Sequence, residues 1–192
     1  FVMNFEYETE RLILKVLTPS YFREVLSFQR RNREYFEKYE PVRPENFYTP
    51  RYQENVLKAE FRLACELKTI RFYVFRREDP DTIIGTVCLH DINRFVYSCS
   101  EIGYKFDHAF WHMGYAGEAV QKAVDIAFHD LGLHRVFARV LPENTPSKNL
   151  LTALSFFPEG IEHECICLNG KWTDHLRYVK INFDDSAHRS GS

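Results

Sequence analysis

The segment Trp111-His112-Met113-Gly114-Tyr115-Ala116-Gly117-Glu118 places two glycines and an alanine at the mouth of a helix. Small residues there let the backbone curl tightly and leave N–H groups without acceptors. Together with the positive end of the helix dipole, such groups make an anion site suited to a pyrophosphate. A tight strand-to-helix turn that binds nothing would read the same way. The segment is not a P-loop, because no Lys-Ser/Thr follows the last glycine. Nor is it the G-x-G-x-x-G fingerprint, since Gly114 and Gly117 stand three apart. A second candidate is Glu101 in the run Cys99–Phe106. Strand alternation puts Cys99, Glu101, Gly103 and Lys105 on one face, and Ile102, Tyr104 and Phe106 on the other. A carboxylate beside a glycine, where a ligand can approach closely, suits proton transfer; an ion pair with a neighbouring Lys or Arg suits the same residues.

Three further constellations carry less. His108 and His112 have the spacing of two metal ligands on a helix, but Ala-Phe-Trp between them reads as loop and no third ligand follows, so no metal is expected. Cys165-x-Cys167 lacks a partner pair, and alternation points both thiols to one face, expected to be buried or half-buried. No G-x-S-x-G hydrolase elbow is present. The cluster Arg30, Arg31, Arg33 reads as a solvated helix end, or else as a patch for an acidic substrate or RNA.

The elements that must position these groups follow from periodicity. Leu12–Leu17 is strand-like, and Thr18-Pro19 opens a helix to about Arg31. Residues 1–8 show no clear period, and 32–50 suggest a short helix and then an ordered loop. Helical spacing returns over Arg51–Lys68. Ile70–Arg76, Ile83–Asp91 and Cys99–Phe106 form an antiparallel meander, with a turn at Asp79-Pro80-Asp81. From Tyr115, apolar pairs recur every four residues to Leu131, and Gly132 fits the left-handed position that ends a helix. A strand over His134–Leu141 follows, then a helix around Pro146–Leu154 capped by Asn144 or Thr145. Ile161–Leu168 and Trp172–Ile181 flank Asn169-Gly170, a hairpin signal.

Composition bounds the class. The 192 residues are 45% hydrophobic and 16% aromatic, enough for a sizeable core, with only 8 Gly and 8 Pro. Lys and Arg total 25 against 27 Asp and Glu, a formal net charge of −2, which argues against a general nucleic-acid binder. No apolar run reaches the roughly 20 residues of a membrane span. Five cysteines, an odd number mostly in strand-like runs, suggest buried free thiols in a reducing, cytoplasmic setting. One domain over 1–183 and a loose polar tail over 184–192 are expected.

The stretch WHMGYAGEAVQKAVDIAFHDLGLHRVFARVLPENTPSKNLL resembles the cofactor-binding core of the GNAT N-acetyltransferases. It is most similar to the RimJ/RimL branch, which acetylates ribosomal-protein N-termini. ETERLIL, EIGYKF and NGKWTDHLRY agree in order, so the resemblance spans about residues 8–182. It implies a single α/β domain with a twisted, mostly antiparallel sheet of about seven strands and helices on both faces. The cosubstrate it implies is acetyl-CoA, with the pyrophosphate on the backbone of Met113, Gly114, Tyr115, Ala116 and Gly117. The family's Q/R-x-x-G-x-G/A pattern falls on Trp111, Gly114 and Ala116. Gly117 stands where the branch often has Thr, and Ser155 where a glycine usually precedes Phe156.

The resemblance also implies roles for single residues. Two strands diverge near Phe106 in this family, opening a slot for pantetheine where a backbone N–H at Phe106 would hold the oxyanion. The Tyr that many members use as the acid falls on Leu151 and is missing. Asn144-x-x-Ser147 keeps the branch's alternative, with Ser147 bonding the CoA sulfur and Asn144 the pantetheine arm; as first-turn and N-cap residues they would serve the helix alone. Glu101 is the candidate base, with Glu162 and Glu164 as other carboxylates, because Ile166 occupies the place where relatives can carry a catalytic Glu. An α-amine with a pKa near 8 needs only a weak base, unlike a lysine near 10.4.

The expected function is acetyl transfer from acetyl-CoA to a primary amine by direct attack in a ternary complex, with a protein N-terminus as the acceptor that the resemblance implies. A small amine (polyamine, aminoglycoside or amino acid) is the alternative acceptor. A non-catalytic acyl-CoA-binding module and a structural protein with a vestigial fold are the other readings. No metal, membrane or direct nucleic-acid partner is implied, and the chain would be a monomer or homodimer. The Asn46–Gln53 region and the loop after Asp91 should border the acceptor cleft.

Overall fold

The computed structural model describes residues 4–184, and most of the polar tail lies outside them. Eight strands form one sheet: β1 (Glu6–Glu8), β2 (Leu12–Lys15), β3 (Ile70–Arg76), β4 (Asp79–Asn93), β5 (Cys99–Phe106), β6 (Arg135–Val140), β7 (Phe157–Leu168) and β8 (Lys171–Ile181). Their spatial order is β1-β2-β3-β4-β5-β6-β8-β7. Every pairing is antiparallel except β5 with β6. The extra strand is β1, three residues too few to show a period, held by pairing Glu6–Glu8 with Ile13–Lys15.

Helices cover both faces: α1 (Phe22–Arg31), α2 (Arg33–Phe36), α3 (Pro50–Cys65), α4 (Tyr115–Asp125) and α5 (Thr145–Ala153). Val25, Phe28, Phe36 and Leu57 of α1–α3 pack with Leu17, Tyr73, Phe75 and Ile83 on one side. On the other, Ala119, Val120, Ala123 and Val124 of α4 and Leu151 of α5 join a larger core with Phe72, Val87, Leu89, Ile102 and Val136. Ala and Val at a spacing of four leave α4 thin on that side, so it sits close against the sheet.

Several boundaries differ from expectation for physical reasons. The turn falls at 77–78 rather than at Asp79-Pro80-Asp81, which begins β4; register shifts around Phe75 let Pro80 sit in the strand without owing a ladder hydrogen bond. The long helix does not stay α-helical to Leu131: Ile126–Asp130 widens into a π turn, with Leu131 N–H donating to the Ile126 carbonyl. Gly132 then takes φ 65°, the left-handed position read from the sequence. β7 starts four residues before Ile161. Asn169 and Gly170, at φ 51° and 77°, close the β7–β8 hairpin. Cys88 is buried, but Cys167 is exposed, since that face of edge strand β7 is uncovered.

Candidate active site

Parallel pairing of β5 with β6 lasts only from Cys99↔Arg135 to Glu101↔Phe137, after which the strands part. The backbone phase of β5 follows from its neighbours: Asp107 N–H donates to Ile84 of β4, while the Ser98 carbonyl accepts from Arg135 of β6. Alternation therefore turns the N–H groups of Tyr104 and Phe106 towards β6, into the gap. The divergence expected near Phe106 thus begins about five residues earlier, after Glu101. The Phe106 carbonyl accepts from the Trp111 indole at 2.9 Å, which pins the following loop to the strand end. A Cβ on Gly85 would lie 2.3 Å from the Phe106 ring, so only glycine leaves room for that ring beside the gap.

A polar contact links β5 to α5 beside the gap. Asn144 caps α5 by accepting from the Ser147 N–H at 3.2 Å, and the Ser147 Oγ lies 2.7 Å from the Tyr104 hydroxyl. Tyr104 is on the face of β5 that strand alternation assigned it. Its partnership with Ser147 was not read from the sequence, because it depends on where α5 docks after the strands part. Burial pushes the Tyr104 hydroxyl up to about 12, against the lowering effect of Ser147, so it stays protonated at neutral pH. Leu151 is fully buried among apolar neighbours.

Below the gap, Gly114 begins α4 at φ 80°, and the N–H groups of Tyr115, Ala116 and Gly117 precede the first helical hydrogen bond, made by Glu118 N–H to Gly114. A Cβ on Gly117 would meet nothing within 4 Å, so the first turn is open on the side of Gly117. The acidic Glu118 is drawn aside: Thr9 Oγ1 donates to it at 2.6 Å, the Arg11 N–H at 2.9 Å and the Arg11 Nε at 2.7 Å. Arg11 also donates to the Met113 carbonyl and lies 4.6 Å from the Tyr115 ring centroid, adding a cation to the loop. Its place in the ETERLIL motif was visible; its function there was not.

Glu101 sits at the last paired residue before the strands part. Its carboxylate meets Arg139 Nη1 at 2.5 Å, the ion pair that was the alternative to proton transfer. Burial raises its pKa, Arg139 opposes the shift, and Asp91 and Glu162 add to it. Glu162 is tied to Arg139 and Arg177, and Glu164 is exposed. The arginine cluster is exposed, as a solvated helix end would be, and each member also has a partner within the chain. Arg31 pairs with buried Asp107 at 2.5 Å, Arg30 donates to the Tyr48 carbonyl, and Arg33 pairs with Glu37. His108 stacks on Tyr35 at 4.3 Å, and among the described residues no group of three or more His, Cys, Asp or Glu could hold a metal.

On the α1–α3 side, a cleft of about 570 Å³ lies over β3–β5 and reaches Tyr104. Its roof includes Phe47, Tyr52 and Gln53, from the region expected to border it; the loop after Asp91 takes no part, because β4 continues to Asn93 and carries that loop beyond the cleft. His90 faces it across from Gly103, with a would-be Cβ 3.2 Å from Nε2. Burial, reinforced by Arg71, lowers His90 to about 4, so it is neutral near pH 7.

An acetyltransferase (GNAT) domain model matches residues 11–156. The chain belongs to this family. It is an N-acetyltransferase by that membership, and its sheet, open between the fifth and sixth strands, is a GNAT sheet. A probable N-acetyltransferase, YjcK of Bacillus subtilis, is 37% identical over 84% of this chain and 89% of its own length. The [ribosomal protein uS5]-alanine N-acetyltransferase of Escherichia coli is 26% identical over 88% of this chain and 86% of its own. Among solved structures, the ribosomal-protein-S5-alanine acetyltransferase of Vibrio fischeri superposes with a TM-score of 0.88 and 30% identity, covering 95% of this chain and all of that one. RimJ of Mycobacterium smegmatis, solved with a CoA-disulfide, shares the fold at a TM-score of 0.83 and 21% identity, over 93% and 87% of the two chains. No helix among the described residues is long and apolar enough to cross a membrane.

Proposed function

We propose that the chain transfers an acetyl group from acetyl-CoA to a protein N-terminal α-amine, the two substrates meeting at Tyr104. The observation that carries this reading is the Tyr104–Ser147 contact at 2.7 Å, because Tyr104 both reaches α5 beside the gap and lines the cleft on the other face. The donors of Tyr115, Ala116 and Gly117 beside open space fit a diphosphate. Bound acetyl-CoA would supply the acetyl group as a thioester. Within the gap, the N–H groups of Phe106 and Tyr104 are aimed where a carbonyl oxygen would gain negative charge. Either hydroxyl can donate across this contact; when Tyr104 donates to Ser147 in the reacting complex, the Ser147 O–H is free to face the departing sulfur. A thiol leaves with a pKa near 8.5, so a hydrogen bond suffices and complete proton transfer from Tyr104 is not required.

Glu101 is the base of this proposal, its basicity raised by burial where the strands part and reached through water from the cleft. His90, neutral near pH 7, orients the amine by hydrogen bonding and carries no proton away. The Asn144 side chain holds the first turn of α5, and its amide N–H groups remain for the pantetheine arm. Similarity to the uS5-alanine enzymes over most of both chains supports the N-terminal acceptor. A cleft of about 570 Å³ could also enclose a whole small amine, which favours that second reading.

The test is CoA release with a panel of N-terminal peptides, polyamines, aminoglycosides and amino acids. Turnover of peptides above the small amines is expected. Turnover of small amines alone would replace the acceptor, and tight acetyl-CoA binding without amine-dependent release would leave a binding module.

A further inference from the structure

The cleft next to Tyr104 is polar, and its charges do not balance evenly. At one end the groups are matched: Arg71 Nε meets Glu60 Oε1 at 2.7 Å, and the Tyr73 hydroxyl donates to Glu60 Oε2 at 2.8 Å. At the other end Glu40 is shared by Arg43 and Lys105, and Glu37 adds a more distant negative charge towards Arg43. Glu40 Oε1 accepts from Lys105 Nζ at 2.6 Å, and its Oε2 pairs with Arg43 Nη2. Gln29 Oε1 is the remaining acceptor, at 3.3 Å from Arg43 Nη1 and 3.5 Å from Lys105 Nζ, both long contacts. The Arg43 side chain is only 7% exposed, and its Nε has no hydrogen-bond partner. The Phe47 ring, 3.9 Å from the guanidinium carbon, fixes its plane. Neutral His90 offsets none of this charge.

A buried guanidinium that shares its close carboxylate and leaves an N–H donor unpaired is costly, and a further carboxylate entering the cleft reduces that cost. Burial and then the neighbouring Arg43 and Arg71 push Lys105 well below the ordinary lysine range, while the negative charge of Glu60 works against the shift. Arg43 and Arg71 act in the same sense on the acceptor's reacting end: nearby cations disfavour an ammonium and favour the neutral amine that attack requires.

We infer that Arg43 and Lys105 form a subsite for a carboxylate carried by the acceptor a few bonds from its reacting amine. This rests on the cleft being the acceptor side, as proposed above. Two acceptor types present that chemistry: a peptide with Asp or Glu at its first or second residue, and a free amino acid with its own α-carboxylate.

The experiment compares matched acceptors by CoA release. One arm pairs Ala-Glu with Ala-Gln peptides, amidated at the C-terminus; the other pairs a free amino acid with its amide. The carboxylate member is expected to have kcat/KM higher by about tenfold, mostly through KM, as one charge-assisted hydrogen bond would give. Arg43→Gln should shrink that ratio towards one, and Lys105→Met provides a second reading if the first variant folds poorly. A wild-type ratio within twofold in both arms overturns the inference, as does a preference that survives both substitutions. Preference in the amino-acid arm without peptide turnover keeps the subsite and removes the protein N-terminus as acceptor. If neither pair turns over, the melting temperature of the CoA-saturated protein decides: equal shifts with carboxylate and amide reject the subsite, and a larger shift with the carboxylate supports it.

Discussion

In the proposed reaction, Tyr104 and Ser147 would divide between them work that relatives with a tyrosine on the second conserved helix would give to one side chain. Leu151, on that helix, is buried in the core and has no polar atom to offer. The hydroxyl comes instead from β5, on the opposite wall of the gap, and reaches Ser147 at 2.7 Å. Tyr104→Phe keeps the ring and removes the donor. It should lower kcat by about 10- to 100-fold, the range for one lost hydrogen bond to developing charge, with little change in KM for acetyl-CoA. Steady-state CoA release with a peptide acceptor checks this, and an unaltered kcat would leave Tyr104 a structural partner of Ser147. The helix-start positions of Gly114, Tyr115, Ala116, Gly117, Asn144 and Ser147 were legible because local chemistry dictates geometry there. The contacts of Arg11 and Tyr104 were not, because each reaches across a long separation in the chain.

At the scale of elements, the connection from α5 to β7 carries a local cost. Ser155 adopts φ 64°, while its N–H donates to Thr152 and Phe156 N–H donates to Leu151, the pattern that ends a helix. A left-handed residue with a Cβ costs about 1–2 kcal/mol, which explains the glycine usually found there. Ser155→Gly should therefore stabilise the protein by about 0.5–1 kcal/mol after glycine's greater unfolded-state entropy is counted. Urea unfolding would register it as a higher midpoint at constant m-value. A lower midpoint would mean that the serine hydroxyl contributes more than its backbone strain costs. The boundaries of β3, β5 and the α5 cap were legible because propensity and capping agree there. β1, the start of β4 and the π turn were not, since pairing partners and packing against Phe75 or Ala127 decide them.

For the molecule as a whole, the buried polar face of the sheet ties stability to pH. His90 is held near 4 in the fold against an ordinary value of 6.5. Between those values the unfolded chain binds more protons, so stability is highest above pH 6.5 and falls as pH drops towards 4. Two and a half units correspond to a loss of roughly 3 kcal/mol at most, over that window, from this one group. His90→Gln should flatten the unfolding free energy between pH 6.5 and 4 relative to wild type. Parallel curves for the two proteins would show that the ring charges without penalty, through water reaching the cleft.

The order of strands and helices, the glycine-bearing mouth of α4, the Asn144 cap and the Asn169-Gly170 hairpin were set by the amino-acid sequence alone, because each depends on neighbours a few residues away. Tertiary structure decided that β5 and β6 part after Glu101, that Tyr104 then meets Ser147, and that Glu40 is shared by Arg43 and Lys105. Those arrangements join groups from separate elements. Burial sets their protonation, and no periodicity along the chain encodes how deeply a group will be buried.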